Sequence, residues 1–321
     1  FAIAVSYWII RNEQEVGVFV FVFIATIVFS FTDGIFEFLV GFDFSGNQKA
    51  YGRLSGPFEK SGLGIFLAKM GIPMVLAFWA ITRSKSKRFD YLAVIILVIL
   101  SFTVFVAGER MAVLLLSFAL VIGIYLIEEY RKYLLTILLI FVTGFGFALF
   151  FNKEMQNRIY MTTMNEIQSD PKKQSAYKAQ LSAAIEIIKD HPILGVGSNN
   201  YRFVCKKPKY DPLGTKEWSR CLIHPHHVYL ELWVNNGIIG LSLFLVVIYF
   251  WLKLFFKHRP DQKKDYLLLS GSLGLLLFLW PLSVGMSIFS NFNGIWFWVM
   301  IAFMLTCYRL RTGDPYIKKG I

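Results

Sequence analysis

The chain has 321 residues, of which 56% are hydrophobic, 17% aromatic and only 17% charged, against about 25% charged in a soluble domain. The apolar residues gather in blocks, the mark of membrane spans, and no stretch reads as a separate soluble catalytic domain. The formal charge of +12 sits mostly in short linkers between the blocks, so membrane topology accounts for it before nucleic acid does, and three cysteines are too few for a disulfide scaffold or a four-ligand zinc site.

In chain order, "FAIAVSYWII" reads as the tail of a span that starts before Phe1, not as a signal peptide. Eight further segments are apolar over roughly the 20 residues a span needs: about 16–40, 62–82, 90–108, 111–127, 133–151, 228–252, 266–286 and 294–308. The fold class is therefore all-α, a polytopic transmembrane helical bundle with one large, partly helical extramembrane loop. It divides into transmembrane helices over 1–151, the loop at 152–227, and transmembrane helices with a cytoplasmic tail over 228–321. The linkers "RSKSKR", "EEYRK", "KLFFKHRPDQKK" and "RLRTGDPYIKK" are short and basic, and short basic linkers face the cytoplasm. They alternate with 41–61, 109–110, 152–227 and 287–293, which this topology places on the outer face.

The loop 152–227 is too long to be a plain connection. Within it "AYKAQLSAAIEIIKD" predicts a helix with Leu181, Ala184, Ile185 and Ile188 on one face, and "HPILGVG" breaks that helix with Pro192, Gly195 and Gly197. The loop holds 12 basic and 7 acidic residues. A positive excess on the outer face runs against the charge rule for topology and points to an anionic partner, of which lipid headgroups are the plainest.

Candidate chemistry concentrates in a few places. His224, His226 and His227 crowd at the mouth of an apolar segment, in "HPHHVYLELWVNNGIIG". They cannot all point one way on one short element, and there is no HExxH, no DxD and no nearby carboxylate pair, so no metal is expected. A histidine at a wet membrane edge titrates near neutral pH and suits a general base, while an interfacial histidine with no role remains the alternative. Arg110, in "FVAGERMAVLLL", lies between two apolar blocks; its planar fork suits phosphate oxygens, although Glu109 beside it would also hold an arginine in a simple turn. "YGRLSGPFEKSGLG" has turn chemistry before a span and carries Arg53 and Lys60. Cys205 and Cys221 flank a short stretch just ahead of the histidines, where an outer compartment permits a disulfide.

Together these pieces resemble the bacterial O-antigen ligase and O-antigen polymerase family over nearly the whole chain. The resemblance rests on "RLSGPF" before a span, "GER" between two spans, "DHPILGVGSNNY" in the large loop, and "HPHHVYLELWVNNGIIG". In the last motif His226 matches the family's histidine, Gly237 and Gly240 match its GxxG, and His227 stands where the family has Asn, Ser or Gln. The resemblance implies about a dozen spans in a bacterial inner membrane, with the large loop and the active site facing the periplasm. It implies a metal-independent, inverting glycosyltransferase without cofactors. The donor would be a glycan on undecaprenyl diphosphate, and the acceptor lipid A–core in a ligase or another lipid-linked glycan in a polymerase; the lipid bilayer is a partner and nucleic acid is not. His226 would be the base and Arg110 a diphosphate-binding catalytic group. Arg53, Lys178, Arg202, Arg158, His224 and His227 would contact diphosphate or glycan. The family's second arginine, upstream of "HPILGVG", is missing: the chain has Lys178 there. A transporter or flippase, with histidines relaying protons and arginines selecting anions, is the alternative of another class.

Overall fold

A computed structural model describes residues 2–48, 53–58, 62–83, 85–151, 176–257, 265–281 and 287–312. Among these residues the regular structure is helical, and an isolated bridge pairs Phe42 with Gln48. The principal helices are α1 (Glu13–Val40), α2 (Leu63–Thr82), α3 (Lys87–Val106), α4 (Arg110–Leu126), α5 (Arg131–Phe151), α6 (Ala176–Asp190), α7 (Val228–Lys257), α8 (Asp265–Phe278) and α9 (Asn291–Thr312). Among the described residues five helical stretches are long and apolar enough to cross a membrane: Glu13–Val40, Leu63–Thr82, Lys87–Val106, Glu128–Phe147 and Val228–Lys253. The chain is thus an all-α, polytopic helical membrane protein. It packs as two compact units, one of Phe1–Asn152, His258–Phe278 and Trp296–Ile321, the other of Lys153–Lys257 and Leu279–Ile295.

In the first unit α2 is the central helix, packed against α1, α3, α4 and α8. Its middle, Leu67–Gly71, widens into a π-type turn just before Pro73. The proline supplies no N–H and its ring presses on the carbonyl of residue 69, which opens the turn there. The large side chains that fill the unit include Phe78, Trp79, Met70, Met74 and Phe303, all essentially without solvent contact. α1 is capped at its start by Asn12, whose side chain accepts the Glu15 N–H at 2.9 Å, and ends at Gly41 with φ +99°.

Two sequence expectations need correcting. The apolar segment 266–286 does not form one helix: α8 stops at Phe278, and Leu279–Pro281 is irregular. Pro281 explains it, because its ring collides with the carbonyl four residues back and removes a helical donor. The second correction concerns α6, in the second unit. The helix forms over the predicted residues, but Leu181 and Ile185 remain 42% and 41% exposed. The buried face is instead Ala179, Gln180, Ala183, Ala184, Ile187 and Ile188. The helix approaches through alanines because the space opposite is filled by Tyr201, Tyr210 and Val234, which share its core with Cys205. Hydrophobic period alone chose the bulkier stripe; packing chose the smaller one.

Candidate active site

Two motifs meet inside the first unit. The "RLSGPF" loop is held by Glu37 of α1, whose buried carboxylate accepts the N–H groups of Ser55 and Gly56, each at 2.8 Å. The Leu54 N–H donates to the Ala107 carbonyl at 3.3 Å, which fastens this loop to the "GER" turn. Glu109 of that turn reaches the start of α2 and accepts the Ile65 N–H at 3.0 Å, serving as the carboxylate cap that Gly62 cannot provide. Burial pushes the Glu109 carboxyl up to about 7, while the Ile65 N–H and the charges of Arg53 and Lys69 pull it back. Arg110 opens α4 directly after it, half-buried like Arg53. Arg53, Lys69 and Arg110 are thus gathered in one unit with Glu109 among them. Lys69 was missed in the sequence reading. It is buried in α2 with its Nζ 5.1 Å from the centroid of Phe278, and it is the one charge in the apolar run 62–82, which is signal enough.

The second unit builds the histidine cluster around a broken helix. α7 is interrupted at Gly237, where φ is +66° and ψ −170°, a conformation open in practice to glycine alone. The break strips neighbouring backbone groups of their helical partners, and the "HPILGVG" loop supplies new ones. Val196 N–H donates to the Val234 carbonyl at 2.8 Å, Gly197 N–H to that of Asn235 at 2.9 Å, and Ile238 N–H to that of Pro192 at 2.8 Å. The two chains touch backbone to backbone: a Cβ on Gly237 would lie 1.9 Å from the Ile193 carbonyl oxygen, and one on Gly195 2.5 Å from that of Val234. Such re-pairing lets a non-helical turn persist in a membrane helix.

At the head of α7 each histidine has its own task. His227 is the N-cap: its carbonyl accepts the Glu231 N–H at 2.8 Å and its Nδ1 accepts the Leu230 N–H at 3.3 Å. Its Nε2 lies 2.8 Å from the Pro281 carbonyl, which only accepts, so the ring carries its hydrogen on Nε2 and both nitrogens are engaged. His224 accepts the Ser287 N–H on Nε2 at 3.1 Å, so its Nε2 is unprotonated. His226 stands between them with φ +51°, a left-handed turn that a non-glycine residue adopts at a cost. Its ring centroid is 4.4 Å from that of His224 and 5.7 Å from that of Tyr177 on α6, which it meets edge to face.

The other expected residues are dispersed. Lys178 is half-buried on α6 beside Tyr177, and Arg202 lies over the ring of Phe203 at 4.8 Å. Arg158 lies outside the described residues. Cys205 and Cys221 are joined as a disulfide, their Cα atoms 5.5 Å apart. The loop they close is organised by Arg220, buried and unnoticed in the sequence. Its guanidinium donates to the Cys205 and Thr215 carbonyls at 3.0 and 2.8 Å and pairs with Asp211 at 3.0 Å. Among the described residues no three His, Cys, Asp or Glu side chains gather as a metal would require.

Residues 95–245 match the protein family described as O-antigen ligase. This stretch of the chain is similar to that family. No curated protein and no solved structure matches the chain. The matched stretch takes in the "GER" turn, α6, the "HPILGVG" loop, the histidine cluster and the break in α7. The match supports activity of the O-antigen ligase or polymerase type, and the long apolar helices are those of a multi-pass membrane protein.

Proposed function

We propose that the protein is an O-antigen ligase-type, inverting glycosyltransferase of the bacterial inner membrane. It moves a glycan from undecaprenyl diphosphate to a lipid A–core acceptor at the periplasmic face. The observation that carries this reading is the division of labour among the histidines. Backbone groups engage both nitrogens of His227 and Nε2 of His224, which supports giving the role of base to His226. His226 takes the proton of the acceptor hydroxyl as that oxygen bonds to the sugar carbon. The bond to the diphosphate breaks on the opposite side, and its electron pair leaves on the phosphate oxygen. One displacement inverts the anomeric carbon. Arg110 and Arg53 hold the diphosphate and stabilise the charge that develops on it, with Lys178 and Arg202 as further cations for the glycan-diphosphate. No step requires a metal.

The test is turnover by the full chain in detergent with a lipid-linked glycan and lipid A–core, without an ion gradient. Transfer should occur in the presence of chelator. His226→Ala should lose about 10²–10⁴-fold in rate with donor binding nearly intact, whereas Arg110→Ala should weaken donor binding too. Arg110→Lys should still lose much of the activity, because the charge stays but the fork does not. Full turnover by His226→Ala would overturn the assignment of the base. Transport without transfer would make the protein a transporter. Cells lacking the gene should accumulate long lipid-linked chains; accumulation of single repeat units would make it the polymerase of the same family.

A further inference from the structure

Glu231 is the buried acid closest to the histidines in sequence, and the mechanism above does not use it. It lies in the first turn of α7, 6% exposed. Its Oε1 accepts the Ser287 hydroxyl at 2.7 Å, while its Oε2 has no hydrogen-bond partner among the described residues. A carboxylate does not settle in such a place for packing alone, because burying an incompletely bonded charge is costly. Ser287 is itself held from three directions. The Phe289 N–H donates to its Oγ at 3.0 Å, so the hydroxyl hydrogen is left for Glu231. The Ser290 hydroxyl donates to its carbonyl at 2.8 Å. Its own N–H then points at Nε2 of His224, 3.1 Å away, which places the hydrogen of the neutral ring on Nδ1. The ring so fixed lies beside that of His226, tilted to it, with the centroids 4.4 Å apart.

We propose that Glu231 is a positioning residue for His226, acting through Ser287 and His224. The arrangement runs carboxylate, serine, neutral imidazole, base. Glu231 holds the serine and the serine holds His224 in one tautomer. His224 then gives His226 a fixed neutral neighbour on one side, with the Tyr177 ring at right angles on another. When His226 becomes an imidazolium, the buried negative charge behind His224 favours that state, as an orienting carboxylate does for a catalytic histidine in other transferases and hydrolases. The proposal rests on His226 being the base. His224 and Tyr177 both lie against its ring.

The experiment is a ring-nitrogen NMR titration of the full chain, labelled with ¹⁵N-histidine in detergent, with resonances assigned through His224→Gln and His226→Gln. In the wild type His224 should remain neutral and protonated on Nδ1 while His226 titrates. Glu231→Gln keeps an oxygen for the Ser287 hydroxyl but removes the charge. The His226 midpoint should then fall by about half a pH unit, less than the 1–3 units of a directly adjacent charge. A purely structural Glu231 would leave that midpoint in place, and an unmoved midpoint overturns the proposal. Should the variant fail to fold, the wild-type spectrum still decides: a His224 ring protonated on Nε2 contradicts the chain of contacts. None of these readouts needs turnover. Normal activity in His226→Ala would sink the base assignment while leaving the titration result standing, so the two failures are distinguishable.

Discussion

Replacing Gly237 by alanine tests the break in α7, around which the histidine cluster of the second unit is built. The backbone at φ +66°, ψ −170° is hostile to any side chain, at about 1–3 kcal/mol for a non-glycine residue. The new Cβ would lie 1.9 Å from the Ile193 oxygen and 2.2 Å from its carbonyl carbon. Both are backbone atoms, so the "HPILGVG" loop must withdraw. Withdrawal breaks the bonds of Val196, Gly197 and Ile238, each worth about 1 kcal/mol. The unfolded chain, stiffened by alanine, returns about 0.5–1 kcal/mol, so the net cost is about 3–5 kcal/mol. Hydrogen exchange by mass spectrometry reads this locally. Exchange at Val196, Gly197 and Ile238 should accelerate about 10²-fold or more, at tenfold per 1.4 kcal/mol. Gly214→Ala is the control: its φ of +62° is also left-handed, but a Cβ there meets nothing within 4 Å, so only about 1 kcal/mol of backbone strain is expected. If exchange at the three amides in Gly237→Ala stayed within about threefold of wild type, the backbone contact between loop and helix would be refuted.

Three further outcomes are expected. His227→Asn keeps an N-cap oxygen and should retain activity, whereas His227→Ala should lower stability by about 1 kcal/mol in thermal unfolding; equal loss in both would mean that the cap is not the residue's task. Glu109 has a folded-state carboxyl near 7 against an ordinary 4.5, so the folded chain keeps a proton that the unfolded chain has lost. Stability should therefore fall by up to about 3 kcal/mol as pH rises from 4.5 to 7; Glu109→Gln should flatten that slope, and an unchanged slope would discount the buried carboxyl. A tryptic digest made without reductant should yield the Cys205 and Cys221 peptides linked, and Cys221→Ser should cost about 3 kcal/mol; two free thiols in the wild type would remove the bridge.

Much of this protein was legible before any coordinates. Lipid demands runs of about 20 apolar residues with every backbone group paired internally, so composition and block length determined a multi-pass helical protein. The helix at Ala176–Asp190 was visible in its period, and the residues proposed for chemistry stood out by type: charges at membrane edges, and histidines where an apolar block begins. Some signals were present but underweighted, such as Pro281 ending α8 and Lys69 alone in α2. The rest depended on partners distant in the chain. The period of α6 offered Leu181 and Ile185 as its buried face, and only the tyrosines packed opposite selected the alanines. Gly195 read as a helix breaker and Gly237 as part of a GxxG motif, but that their backbones touch is a fact about two segments at once. The three histidines are chemically alike in the sequence. What separates them is the Pro281 carbonyl, the Ser287 amide and the Tyr177 ring. A hydrogen-bond partner is set by where folding brings another strand of the chain, whereas burial in lipid is set by the local residues themselves.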